Sequence, residues 1–272
     1  MNPISNTAFY CCGVRMQDAA QSNPVCDDIH AKAFMNDEGL RILEAFKDEA
    51  GPNASTVARH RIIDDLLRQE LRADPRLCVV IIGAGFDSRA CRLEGGVWVE
   101  LDEPQVIIYK NERLPLSNCS NELHRIPIDF ARESLEEKLS PFSGHTPVVV
   151  VIEGVLMYLE EETIIATLRT VRRLFPGHTL ICDLMNRRFI EKSARTLHEK
   201  ITGLAAPFRF IADNPEKIFL DNGYMRTAKI SIIEKAVEFG SIRMPAFLLK
   251  TFLRSLASGY TINVFRAGES RT

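Results

Sequence analysis

No apolar run in this chain approaches the roughly 20 residues that a bilayer span requires. Its start, MNPISNTAFYCC, lacks the positively charged opening and the sustained apolar core of a secretory leader. The expectation is a cytoplasmic protein with no membrane partner. Neither charge is in excess: 34 Lys and Arg against 36 Asp and Glu leave a net charge of −2, without the basic surplus of a phosphate-binding surface. Basic runs such as Arg187-Arg188 are too short to change that, so nucleic acid is not expected as a partner. The seven cysteines (11, 12, 26, 78, 91, 119, 182) include no CxxC pair and no nearby histidine at ligand spacing, so no metal is expected. Cys78 and Cys182 fall in strand-like segments and Cys91 near a helix start, where cysteine usually serves as a small apolar side chain. Cys11-Cys12 could be redox-active, but nothing else in the sequence asks for it. The six histidines are scattered, and none pairs with an acid at the spacing of a catalytic triad.

What is present suits one elaborated α/β domain over residues 1–272, since 46% hydrophobic content at this length can bury a full core. Residues 1–53 read as an irregular, partly helical cap. Within it, Asp37 to Ala50 place Leu40, Leu43 and Phe46 at helical spacing before Gly51-Pro52 stops the helix. Ser55 or Thr56 then caps a second helix, with its apolar stripe from Val57 to Leu71 and its end at Asp74-Pro75. Strands are expected at 78–82, 97–101, 124–128, 147–153, 179–182, 226–233 and 260–265, and a helix spans about Glu160 to Phe175. Val148 to Ile152 has no polar alternation, so it reads as a strand covered on both faces. The alternation predicts a mostly parallel sheet with helices on both faces and the last two strands pairing antiparallel at the edge. Residues 54–185 form the cofactor-binding core, 186–255 a substrate-side insertion, and 256–272 the final strand and tail.

The stretch Cys78-Val-Val-Ile-Ile-Gly-Ala-Gly-Phe-Asp-Ser-Arg89 is an apolar strand opening into a glycine turn. Gly83 and Gly85 let backbone N–H groups approach a ligand where a Cβ would hold the chain away. The third glycine of the dinucleotide fingerprint is missing, because Phe86, Asp87 and Ser88 follow. Asp102 ends the next strand, 17 residues beyond Gly85, where a carboxylate can accept two ribose hydroxyls. The strand-then-carboxylate theme repeats at Asp129 and Glu153. A carboxylate after a fully apolar strand is costly to bury without a partner, which favours a functional role for Glu153.

In sequence order, these stretches resemble the leucine carboxyl methyltransferase family, which includes the tetracenomycin-type polyketide O-methyltransferases. The likeness is carried by Asn6-Thr-Ala8 with Arg15, Ala58-Arg-His-Arg-Ile-Ile-Asp64, Ile82-Gly-Ala-Gly-Phe-Asp-Ser-Arg89 with Arg92-Leu93, Glu100-Leu-Asp-Glu-Pro104, Ile128-Asp129 and Glu153-Gly-Val-Leu-Met-Tyr-Leu159. It implies a Rossmann-like class I methyltransferase fold that binds S-adenosyl-L-methionine and methylates an oxygen, often a carboxylate. It also implies that Arg59 holds the carboxylate of the methionine moiety, a task suited to an always-charged guanidinium fork. Read alone, Arg59 is an ordinary helix arginine. Arg15 is a second candidate for the same carboxylate, Asp129 is placed beside adenine, and Glu153 lies near the sulfonium or the backbone that frames it.

These residues point to an S-adenosylmethionine-dependent O-methyltransferase acting on a small-molecule acceptor, with a protein acceptor disfavoured because the chain is short and lacks obvious insertions. A carboxylate acceptor is ionised at neutral pH and needs no base, and the sequence offers none beyond Tyr158 and His60, each equally at home as a packing residue. Two other classes stay open: an NAD(P)-dependent oxidoreductase, though no Tyr-x-x-x-Lys set is present, and a non-catalytic S-adenosylmethionine-binding sensor. The phenylalanines of 189–255 either line an apolar pocket or fill the core.

Overall fold

The structure is a computed structural model and describes residues 3–243 and 254–268. Seven strands form one sheet in the order β3-β2-β1-β4-β5-β7-β6. They are β1 (Cys78–Ile82), β2 (Val97–Asp102), β3 (Glu122–Pro127), β4 (Val148–Ile152), β5 (Thr179–Met185), β6 (Tyr224–Ser231) and β7 (Tyr260–Ala267). The first five run parallel. All residues of β1 and β4 are buried, as their unbroken β-branched runs predict.

The last two strands pair antiparallel at one end of the sheet, as expected, and two details differ from the sequence reading. β7 runs antiparallel to both of its neighbours, β5 and β6, so it is an inner strand and β6 is the edge. Accordingly, much of β6 is exposed, Met225 and Arg226 included. The long helix also starts earlier than expected, at Ala50, and runs to Ala73, taking Gly51-Pro52 into its first turn. Proline is tolerated there because first-turn N–H groups have no intrahelical acceptor. The Ser55 hydroxyl therefore donates to the Gly51 carbonyl within the helix instead of capping it.

Before this helix, called α4, come α1 (Pro3–Ala19), α2 (Ala31–Phe34) and α3 (Asp37–Ala45). The cap is thus more regular than expected. Asn36 accepts a hydrogen bond from the Gly39 N–H to start α3, and a Cβ on Gly39 would lie 2.6 Å from Phe9 of α1. After the glycine turn comes α5 (Arg89–Arg92). Cys91, read from sequence as an inert thiol, is joined to Cys119 in a disulfide. The Asn121 side chain donates to the Ala90 and Leu93 carbonyls and pins the same loop. The two cysteines are 28 residues apart and meet because the segments leading into the adjacent parallel strands β2 and β3 lie side by side, which spacing does not reveal. Cys78 and Cys182 are fully buried strand residues.

No helix among the described residues is long and apolar enough to cross a membrane. The chain leaves β1 toward β2 and β3 on one side, then crosses to β4 and β5 on the other. That reversal opens a crevice beyond the carboxyl ends of β1 and β4, where ligands bind in such sheets.

Candidate active site

A cavity of about 780 Å³ fills this crevice and extends beneath α1 and the start of α4. Its floor is the glycine turn. Gly83 and Gly85 both have positive φ (72° and 46°), and a Cβ on Gly83 would lie 2.4 Å from Val155. The Gly83 and Ala84 N–H groups donate to the Leu101 carbonyl, locking the turn to the end of β2. The Gly85 N–H donates to Asp102 Oδ2 at 2.6 Å and the Glu103 N–H to Oδ1 at 2.7 Å. Burial raises the Asp102 pKa, opposed by these two donors. Each carboxylate oxygen keeps a lone pair for a further donor, as a ribose diol would require.

Glu153 follows β4 and is held between two arginines. Arg59 Nε reaches its Oε1 at 2.9 Å, and Arg89 Nη1 its Oε2 at 2.8 Å. Burial alone would raise its pKa, but Arg89 and Arg59 prevail and hold the carboxyl well below the usual range. Arg59 also donates from Nη1 to the Tyr260 hydroxyl (2.8 Å) and to Asp183 Oδ2 (3.2 Å). Gly154, with φ 67°, lies against the guanidinium, 3.1 Å from where a Cβ would stand. Arg15 lines the same cavity, with Nε on Asp28 (2.9 Å) and Nη2 on the Phe86 carbonyl (2.8 Å).

Beneath the turn lies a buried charge network. Arg89 contacts Asp64, Asp87, Glu153 and His60, and Arg92 contacts Asp64 and His60. His60 is almost fully buried, with Nδ1 2.7 Å from Arg89 and Nε2 2.8 Å from Arg92. Burial and the Arg89 charge lower its pKa, so its ring is neutral and enclosed, with no free nitrogen for an acceptor's proton. His60, Asp87 and Glu153 bring ligand atoms within 4.8 Å of one another. The cation already among them is the Arg89 guanidinium.

The remaining candidates separate. Asp129 stands two residues beyond β3, where its Oδ1 accepts from the Ala131 N–H, and its side chain is not part of the cavity wall. Phe130 and Glu133, which follow it, do line it. Tyr158 lines the cavity from the short turn after β4, its ring edge-on to Phe208. Burial pushes its pKa far up, so the phenol stays protonated. Away from the glycine turn the wall is largely apolar, with Met157, Met185, Phe189, Leu197, Ile201 and Phe208, interrupted by Ser193, Ser241 and Arg243. Of the phenylalanines in 189–255, Phe189 and Phe208 line the cavity, while Phe219 stacks on Phe265 in the core. Phe247 and Phe252 lie outside the described residues.

Two partners of Arg59 escaped the sequence reading, Tyr260 in the cavity wall and Asp183 behind it. Asp183 carried a signal, since it follows the apolar run Thr179–Cys182 as Asp102 and Glu153 follow theirs. Tyr260 carried none: it reaches Arg59 only because antiparallel pairing sets it opposite Met185.

Residues 10–172 match the family profile described as Leucine carboxyl methyltransferase. A Parafrankia protein named as a candidate S-adenosyl-L-methionine-dependent methyltransferase is 29% identical over 195 residues, covering 66% of this chain and 63% of its own length. A Mycolicibacterium gilvum protein with the same description is 30% identical over 203 residues, 66% of each chain. The chain thus matches less than two thirds of the length of these curated relatives. Among solved structures, a DUF574 family protein from Streptomyces avermitilis superposes with a TM-score of 0.61 at 11% identity, covering 88% of this chain and 96% of that one. Magnesium protoporphyrin IX methyltransferase from Synechocystis, with bound SAH, gives 0.50 at 16% identity, covering 79% and 87%. At such identities the likeness is one of fold. The profile match, spanning more than half of the sequence and both strand-end carboxylates, carries the assignment: the chain belongs to the leucine carboxyl methyltransferase family.

Proposed function

We propose that this protein transfers a methyl group from S-adenosylmethionine to an oxygen of a small apolar metabolite, and that the oxygen belongs to a carboxylate. The observation that carries the cofactor is the Gly83–Gly85 turn with Asp102 fixed to the Gly85 N–H, facing Glu153 across one cavity. Asp102 receives the ribose hydroxyls, and Arg59 receives the amino-acid carboxylate, with Arg15 in the same cavity wall as a second candidate. Phe130, next to Asp129 in sequence, borders the adenine.

The charge balance supports this cofactor over a nicotinamide dinucleotide. Among the residues lining the cavity, the five carboxylates of Asp87, Asp102, Glu103, Glu133 and Glu153 outnumber the three guanidinium groups of Arg15, Arg59 and Arg243. Such a wall attracts a sulfonium and repels a diphosphate. The apolar half of the cavity gives an acceptor somewhere to bind, which favours turnover over a sensor role.

The acceptor assignment rests on the two residues that the sequence offered as bases, neither of which is placed to serve as one. His60 is enclosed by arginines and Tyr158 stays protonated, so neither suits deprotonation of an alcohol. A carboxylate needs only to be oriented in line with the sulfonium, in a site that excludes water. Methyl-labelled cofactor offered with a panel of apolar carboxylic acids and matched phenols tests this. Label recovered as a base-labile ester is expected; label found only in phenol ethers would overturn the carboxylate reading.

A further inference from the structure

We propose that Tyr260 and Asp183 are positioning residues that aim Arg59 at the carboxylate of the methyl donor. The proposal rests on the cofactor reading above. The three guanidinium nitrogens of Arg59 are held unequally. Nε donates to Glu153 at the end of β4, and Nη1 donates to the Tyr260 hydroxyl and to Asp183 Oδ2. Among the described residues, Nη2 has only the Cys11 sulfur, at 3.7 Å, as a hydrogen-bond partner. A thiol is a weak acceptor, so Nη2 is the nitrogen left for a ligand.

The brace behind Nη1 is itself rigid. Asp183 is buried in β5, and its Oδ1 accepts from the Gly154 N–H at 2.7 Å. Its Oδ2 accepts from the Tyr260 hydroxyl at 2.9 Å as well as from Arg59. The Tyr260 hydroxyl thus donates to Asp183 while accepting from Arg59. With its proton committed to Asp183, it acts through Arg59 and not on the acceptor. A free arginine side chain loses considerable rotamer entropy when it binds an anion, and one already fixed through two nitrogens loses less. Four elements meet at this point: α4, the turn after β4, β5 and the first residue of β7. The ring of Tyr260, 5.5 Å from that of Phe189, also lines the cavity.

The test compares two nucleosides in the full chain. S-adenosylhomocysteine carries the amino-acid carboxylate; 5′-methylthioadenosine keeps the nucleoside and the sulfur but has no carboxylate. Tyr260→Phe retains the ring and removes the brace, so calorimetry should show a loss of about fivefold or more in S-adenosylhomocysteine affinity, with 5′-methylthioadenosine unchanged. Asp183→Asn makes the same comparison should Tyr260→Phe fail to fold. Equal losses for both nucleosides, or no loss for S-adenosylhomocysteine in a folded variant, overturns the proposal. Arg59→Ala, measured alongside, distinguishes the two readings. If it abolishes the preference for S-adenosylhomocysteine while Tyr260→Phe does not, only the positioning role fails. If Arg59→Ala leaves that preference intact, the assignment of Arg59 to the cofactor carboxylate fails, and the positioning role with it.

Discussion

The Gly85 N–H and the Asp102 carboxylate are joined by a 2.6 Å hydrogen bond across the ends of β1 and β2. This bond makes the glycine turn and the ribose acceptor one unit, although 17 residues separate them. Asp102→Ala is therefore expected to cost nucleoside affinity more than stability. Calorimetry against S-adenosylhomocysteine should show a loss of about 2 kcal/mol, while the melting temperature of the unliganded protein moves little. Collapse of the unliganded variant, or unchanged affinity, would make Asp102 a structural residue.

Arg59 is fixed by Glu153, Asp183 and Tyr260 before any ligand arrives. Arg59→Ala should weaken S-adenosylmethionine binding by about 2 kcal/mol, and Arg59→Lys should recover only part of it because a compact ammonium lacks the planar fork that spans these partners. Because Arg59→Ala also leaves buried Glu153 and Asp183 less compensated, unfolding should shift to lower denaturant concentration. Unchanged affinity in a folded Arg59→Ala protein would remove Arg59 from the site.

Gly83→Ala combines a positive φ with a 2.4 Å approach to Val155 Cγ2. A destabilisation of about 2 kcal/mol or more is expected. Adding Val155→Ala should relieve the collision but not the backbone strain, so the double variant should be more stable than Gly83→Ala alone. Strict additivity of the two substitutions in urea unfolding would show that the contact is unimportant.

Stability should fall in two stages as the solution is acidified. His60 and His178 have folded-state pKa values pushed below the ordinary 6.5 by burial, His178 to about 4, so the unfolded chain takes up protons first and stability declines as pH drops below about 6.5. In Asp64, burial is outweighed by His60, Arg89 and Arg92, which hold its pKa down at about 2. Its stabilisation is complete above the ordinary value of 3.8 and is lost as pH falls from there toward 2. Urea titrations from pH 7.5 downward check both stages; a flat profile between pH 7 and 5 would contradict neutral, buried histidines.

A carboxylate acceptor with a pKa near 4 is ionised throughout the neutral range, so single-turnover methyl transfer at saturating cofactor and acceptor should be nearly flat from about pH 6 to 8.5. Tyr158→Phe should leave that profile unchanged. A rate rising about tenfold per pH unit and abolished by Tyr158→Phe or His60→Asn would identify a base and sink the carboxylate reading.

Local chemistry is enough to place much of this molecule. An unbroken β-branched run stopped by Gly83, and apolar strands ending at Asp102 and Glu153, mark strand ends without reference to the rest of the chain, since burial on both faces and a turn at the terminus are written within a few residues. Arg59 was marked for the site only by the family resemblance of the motif around it. What Arg59 meets was not legible, because its partners lie 94, 124 and 201 residues further on and converge only through the strand order and the reversal of β7. The same holds for the Cys91–Cys119 disulfide and for His60, whose place between two arginines depends on how α4 packs over α5. Sequence determined the elements and the residues at their ends. Tertiary structure alone decided which charges neutralise one another and which guanidinium nitrogen is left without a strong acceptor, because a buried ion pair is set by three-dimensional proximity in a poorly screening interior.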